Sequence, residues 1–153
     1  MTILVGLGNP GRTYSDTKHN FGFWVLELFT EKKSLTFQAG KGNYLLAKKG
    51  DLVCIKPTIF MNTIGVSLLD VKQFFKAETE NFLVVYDDID LPLGTLRFRK
   101  SGGTGGHKGI ESIIYQLQSE DFNRLRMGIA TDDDMRPSEK YVLSPFIVLN
   151  GLG

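Results

Sequence analysis

Asn9, His19, Asn62 and Asp87 are the residues whose types and positions could together activate water. Each falls at the end of an apolar run or in the loop that follows one. Asn9 and His19 come after Thr2-Ile3-Leu4-Val5, Asn62 after Ile55-Lys56-Pro57, and Asp87 directly after Val84-Val85-Tyr86. In an open α/β sheet such positions converge on one crevice at the carboxyl ends of the strands. A histidine whose first ring nitrogen meets a carboxylate keeps its second nitrogen for a proton, which is general-base chemistry. No G-x-S-x-G elbow supplies a serine nucleophile. His19 and His107 stand far apart in the sequence, and neither belongs to an H-E-x-x-H or Cys/His cluster, so spacing identifies no metal site. Plainer readings exist for each residue: a surface histidine, a turn aspartate in Asp-Asp-Ile-Asp, a turn amide before Pro10, and a helix cap at Asn62.

Two glycine stretches invite a nucleotide reading. Gly6, Gly8 and Gly11 spell G-x-G-x-x-G. Yet Pro10 removes a backbone donor, the following helix opens only near Asn20, and no acidic residue closes the next strand for a ribose. The later GGTGGHKG could cradle phosphate through backbone amides, but His107 and Gly109 stand where a P-loop requires glycine and a metal-binding hydroxyl.

The elements that must hold these residues follow from periodicity. A buried strand over 2–7 leads through the loop into a helix on which Phe21, Trp24, Val25, Leu28 and Phe29 form an apolar stripe. Tyr44–Lys48 and Leu52–Ile55 flank Lys49-Gly50-Asp51 as a hairpin. Asn62 or Thr63 is placed to cap a helix over 66–75, and Phe82–Tyr86 is a second fully apolar strand, so strand, helix and strand form a crossover. Leu96–Arg99 alternates as a strand, Ile110, Ile113, Ile114 and Leu117 mark a further helix, and Leu125–Ile129 a last strand. The pattern predicts a single α/β domain with a mixed twisted sheet and helices on both faces, without internal repeats.

At 153 residues, one domain can bury roughly 70% of the surface its unfolded chain exposes. No apolar run is long enough to span a membrane, no signal peptide is visible, and Cys54 is the single cysteine, a combination that predicts a cytoplasmic protein. Net charge is +1, but charge is segregated: Asp87, Asp88 and Asp90 against Arg97, Arg99, Lys100 and Lys108, with a second acidic run at Asp132–Asp134. A local basic patch can bind phosphate when the total charge does not.

In order, GLGNPG with Tyr14, Thr17 and His19-Asn20, then KPTIFMN, DDIDLPLG, GGTGGHKGIESI, RLRMGI and YVLSPF resemble the bacterial-type peptidyl-tRNA hydrolases along almost the whole chain. The resemblance implies a monomeric α/β enzyme, working without metal or cofactor, that cleaves the ester between a nascent peptide and the terminal ribose of tRNA. It implies His19 as base and Asp87 as its orienter. Asn9 and Asn62 become the amides that hold peptide and reacting carbonyl, with Tyr14, Met61 and Lys108 also on the substrate. Arg97, Arg99, Lys100 and Arg126 are then the contacts to tRNA phosphates. Lys108 departs from the family, in which many members carry asparagine at that position. The sequence also stops at Asn150–Gly153, where the family usually continues into a further acidic helix. These two departures motivate an alternative, an RNA-binding homologue that has lost hydrolysis.

Overall fold

The computed structural model describes residues 1–131, 135 and 138–145; the acidic run Asp132–Asp134, Phe146 of YVLSPF and the stretch 150–153 lie outside them. Seven strands form one mixed sheet: β1 (Thr2–Gly6), β2 (Gln38–Ala39), β3 (Tyr44–Lys49), β4 (Leu52–Pro57), β5 (Phe82–Pro92), β6 (Leu96–Arg99) and β7 (Asn123–Ala130). Their order across the sheet is β2-β3-β4-β1-β5-β7-β6. The central four, β4, β1, β5 and β7, run parallel, while β3 and β6 join them antiparallel. Fully apolar strands suit the centre because both faces are covered.

Helix α1 (Phe21–Lys32) covers one face, packing Leu26 with Leu4, Ala47 and Cys54. Helices α2 (Gly65–Phe75) and α3 (Lys108–Leu117) cover the other, where Leu68, Val71, Ile110 and Ile113 meet Ile3, Val5, Val53 and Phe82. Chain leaving β1 therefore turns to one face, and chain leaving β4 turns to the other. A crevice opens where such connections diverge, at the carboxyl end of β1.

The predicted elements form, with three corrections. The inward stripe of α1 is Gly22, Phe23, Leu26 and Thr30, and Leu28 is exposed. The reason is a backbone contact that hydrophobic periodicity does not register. A Cβ on Gly6 would come 2.5 Å from the Gly22 carbonyl oxygen, and a Cβ on Gly22 would come 2.4 Å from that of Val85, so helix and sheet meet main chain to main chain and the glycine face must point inward. This use of Gly6 also explains the first glycine motif without any nucleotide. Second, α2 has no side-chain cap from Asn62 or Thr63; both lie in a 3-10 turn, Met61–Thr63, that runs straight into the helix. Third, β5 continues through the acidic cluster to Pro92, so Asp87 is a residue inside a strand rather than at a turn.

The rotated helix face is directly testable. Leu26→Ala should lower stability by about 2–5 kcal/mol through cavity formation, whereas Leu28→Ala should stay within about 0.5 kcal/mol. Urea unfolding of the two variants measures both values.

Candidate active site

Asp87 is the centre of the crevice. It is 1% exposed, and both carboxylate oxygens accept hydrogen bonds from histidine rings. His19, in the turn Lys18–Asn20 that leads into α1, presents Nδ1 to Oδ2 at 2.8 Å and to Oδ1 at 2.9 Å. His107, just before α3, brings Nε2 to Oδ1 at 2.9 Å. Burial by itself would push the Asp87 carboxyl up; the two imidazoles more than offset it and hold the group well below the ordinary carboxylate range.

The hydrogen bonds assign the protons. His107 Nδ1 accepts from the amides of Gly109 at 3.1 Å and Ile110 at 3.3 Å, closing the amino end of α3 as a side-chain cap. Its proton is therefore on Nε2 and points at Asp87. His19 likewise donates through Nδ1, which leaves Nε2 as an acceptor, and the ring lines a cavity of about 920 Å³. By type and spacing the three groups could hold a metal ion, since their ligand atoms lie within 4.8 Å of one another. A metal at His107 Nε2 would have to displace a proton that the helix cap holds there, so the cluster is better matched to proton transfer than to ligation.

Asn9, 6% exposed, does not share that cavity: with Asn20, Trp24 and Lys56 it lines a neighbouring one, so the sheet brings His19 and Asp87 into contact but places Asn9 one loop away. Its amide is oriented from both sides. The side-chain oxygen accepts from the Met61 backbone amide at 2.7 Å, and its backbone exchanges two hydrogen bonds of 2.8 and 2.9 Å with the Asn20 side chain. The bond from Met61 thereby identifies the Asn9 amino group as the end left to donate. Asn20 is the residue that ties the loop after β1 to the histidine turn. Met61 is buried in contact distance of the start of α3, Asn62 is exposed on the next position, and Tyr14 packs edge-on against the exposed Phe60 ring at 5.8 Å.

The cationic residues divide. Cross-strand register pairs Arg97 with Arg126 and Arg99 with Arg124, which places four guanidinium side chains on one face of the β6–β7 ribbon. Arg99, Arg126 and Lys108 line the same cavity as His19, while Arg97 and Lys100 are exposed outside its lining. Arg126 also pairs with Asp88 at 3.0 Å, and Lys108 lies 3.9 Å from Glu111. Two functional positions escape sequence reasoning. Spacing separates His107 from His19, yet their ring centroids lie 4.7 Å apart; a polar residue between a glycine loop and a helix start is the signal that marks it. Arg124 is 2% exposed and clamps the glycine loop by donating to the carbonyls of Gly102 and Gly103. Its alternation with Arg126 in RLR is the corresponding cue.

An α/β sheet with a histidine and a buried carboxylate at its crevice, and a basic wall beside them, defines a hydrolase-type site for a phosphate-bearing substrate. Comparison with known proteins identifies the family. The sequence pattern described as peptidyl-tRNA hydrolase matches residues 3–148. A peptidyl-tRNA hydrolase of Lactobacillus johnsonii is 43% identical over 150 residues, covering 95% of this chain and 80% of that protein. One from Hydrogenobaculum is 44% identical over 145 residues, covering 94% and 77%. The crystal structure of peptidyl-tRNA hydrolase from Acinetobacter baumannii superposes with a TM-score of 0.87 at 31% identity, over 96% of this chain and 77% of that one. A structure of a peptidyl-tRNA hydrolase in complex with N-propanol gives 0.89 at 30% identity, with the same coverage. The chain belongs to the peptidyl-tRNA hydrolase family. Among the described residues no helix is long and apolar enough to cross a membrane.

The protonation scheme predicts a pH effect on stability. Because the folded-state pKa of Asp87 is depressed, its contribution is complete above the usual carboxylate range and is lost as pH falls toward the folded value. Asp87→Asn should therefore unfold more easily at neutral pH and show a shallower loss of stability between about pH 5 and pH 2. Thermal unfolding across that range is the measurement.

Proposed function

We propose that this chain hydrolyses the ester between peptide and tRNA, with His19 as general base and Asp87 as the group that orients it. The observation that carries the assignment is the contact of His19 Nδ1 with a fully buried, ionised Asp87, which commits Nε2 to proton acceptance at the cavity. Water loses its proton to Nε2 as its oxygen bonds to the ester carbonyl carbon. The tetrahedral species then expels the ribose oxygen, which takes the proton back from the imidazolium. An alcohol leaving group makes this single-base route sufficient, with no covalent enzyme intermediate.

Asn9 is assigned to the reacting carbonyl, since its amino group is the free end of an amide locked by Met61 and Asn20. Tyr14, Met61 and Asn62 are assigned to the peptide, along the wall that Tyr14 and Phe60 form. Arg99, Arg126 and Lys108 meet phosphate near the terminal ribose, and Arg97 and Lys100 extend that contact along the exposed ribbon. Cofactor-free action, a monomer and a cytoplasmic location are part of the same reading. The His19–Asp87 pair, intact and buried, favours hydrolysis over an RNA-binding homologue without activity.

His19→Ala should fold normally and lose about 10²- to 10⁴-fold in turnover, as removal of a general base does; near-normal release of tRNA by the folded variant, followed on purified peptidyl-tRNA, would sink the assignment. The double substitution Arg97→Gln with Arg99→Gln should raise KM and flatten its salt dependence by roughly one counterion for each phosphate no longer neutralised. Turnover of a short ester lacking the tRNA body should be unaffected, and equal impairment on both substrates would transfer these arginines to the chemistry or the fold.

A further inference from the structure

Lys18, the residue immediately before His19, has a fully buried ammonium. It is 4% exposed, and Nζ donates to the Ser144 hydroxyl at 2.8 Å, the Pro145 carbonyl at 2.9 Å and the Ser144 carbonyl at 3.4 Å. The same group stands 4.3 Å from the centroid of the Tyr141 ring. Main-chain contacts run alongside: the Lys18 amide donates to Ser144 at 3.0 Å, and Thr17 forms an isolated antiparallel bridge with Pro145. Tyr141 is itself anchored, its hydroxyl donating to the Ile129 carbonyl at 2.6 Å and lying 2.9 Å from Thr131.

An ammonium offers three donors around a point charge, and here three oxygens and an aromatic face receive them. Placing such a charge in the interior is costly, and a packing role alone would be met by an apolar chain of similar length. What the charge adds is a fixed geometry between two segments 126 residues apart in sequence. One is the turn that carries His19. The other is helix α4 (Ser138–Val142) with the residues after it, and Val142 lines the cavity into which His19 faces.

We propose that Lys18 is a positioning residue for hydrolysis: its ammonium ties the segment Tyr141–Pro145 to the His19 turn, and thereby sets the base and the α4 wall of the cavity relative to one another. This gives the YVLSPF motif a purpose, since among the described residues Tyr141, Ser144 and Pro145 all receive Lys18. The proposal rests on His19 as base, but its consequence for the His19 ring can be read without activity.

The chain contains two histidines, so imidazole nitrogen spectra carry two ring systems. In Lys18→Met the His19 ring resonances should move, and by more than those of His107. Single-turnover hydrolysis at saturating enzyme should fall about ten- to a hundredfold, the scale of a base held slightly out of place. Lys18→Arg, which restores a buried cation with several donors, should recover the rate to within about threefold of the parent. Unmoved His19 resonances with a parent-like rate in folded Lys18→Met, or a Lys18→Arg rate as low as that of Lys18→Met, would overturn the proposal. Should Lys18→Met fail to fold, Ser144→Ala decides in its place: a several-fold slower single turnover with shifted His19 resonances supports the tie, and no change in either removes it. Activity in His19→Ala would defeat the base assignment separately, leaving the resonance shifts to judge the tie.

Discussion

A single buried carboxylate bridging two imidazoles is the constraint around which this molecule is arranged. Asp87 is 1% exposed, and its charge is compensated by the hydrogen bonds that His19 and His107 donate to it. Each histidine is in turn fixed by something larger. His107 closes the amino end of α3, and Arg124 holds the glycine loop that leads into it. His19 lies in a turn tied through Asn20 to the loop after β1 and through Lys18 to the segment that follows α4. The sheet, one helix start and the surrounding loops thus share a common electrostatic requirement, with each imidazole supplying part of the compensation for one buried charge.

Much of this is legible in the residues. Alternation and apolar runs place the central strands and three main helices, because burial on one or both faces leaves a periodic trace. His19, Asp87 and Asn9 are recognisable because they follow apolar strands, where a sheet must present its loops. What escapes are contacts that hydrophobicity does not encode. Gly6 against Gly22 rotates α1, since the inward face of a helix can be chosen by the absence of a side chain. Asp87 reads as a turn residue beside Asp88 and Asp90, and only the parallel pairing of β5 with β7 keeps it extended. His107 is hidden by sequence separation, a measure that says nothing about residues brought together by a crossover.

Lys108 stands at the first position of α3, 56% exposed in its side chain. Its charge faces the positive end of a helix dipole, an unfavourable placement on its own. With Arg99 and Arg126 on the same cavity, it extends a cationic wall, and a long flexible lysine contributes attraction there rather than a directional contact.

Among the described residues strand β6 ends the sheet, pairing with β7 alone, and all four of its residues are exposed. Leu96 and Phe98 lie toward one face and Arg97 and Arg99 toward the other. An open edge of this kind is a template for another copy of itself, and here the charge that repels such a copy is carried by the same arginines assigned to RNA. Colloidal stability and substrate affinity are therefore coupled in one strand: neutralising those arginines to weaken RNA binding also removes the guard on the edge, so the surface can be tuned for one property only at the expense of the other.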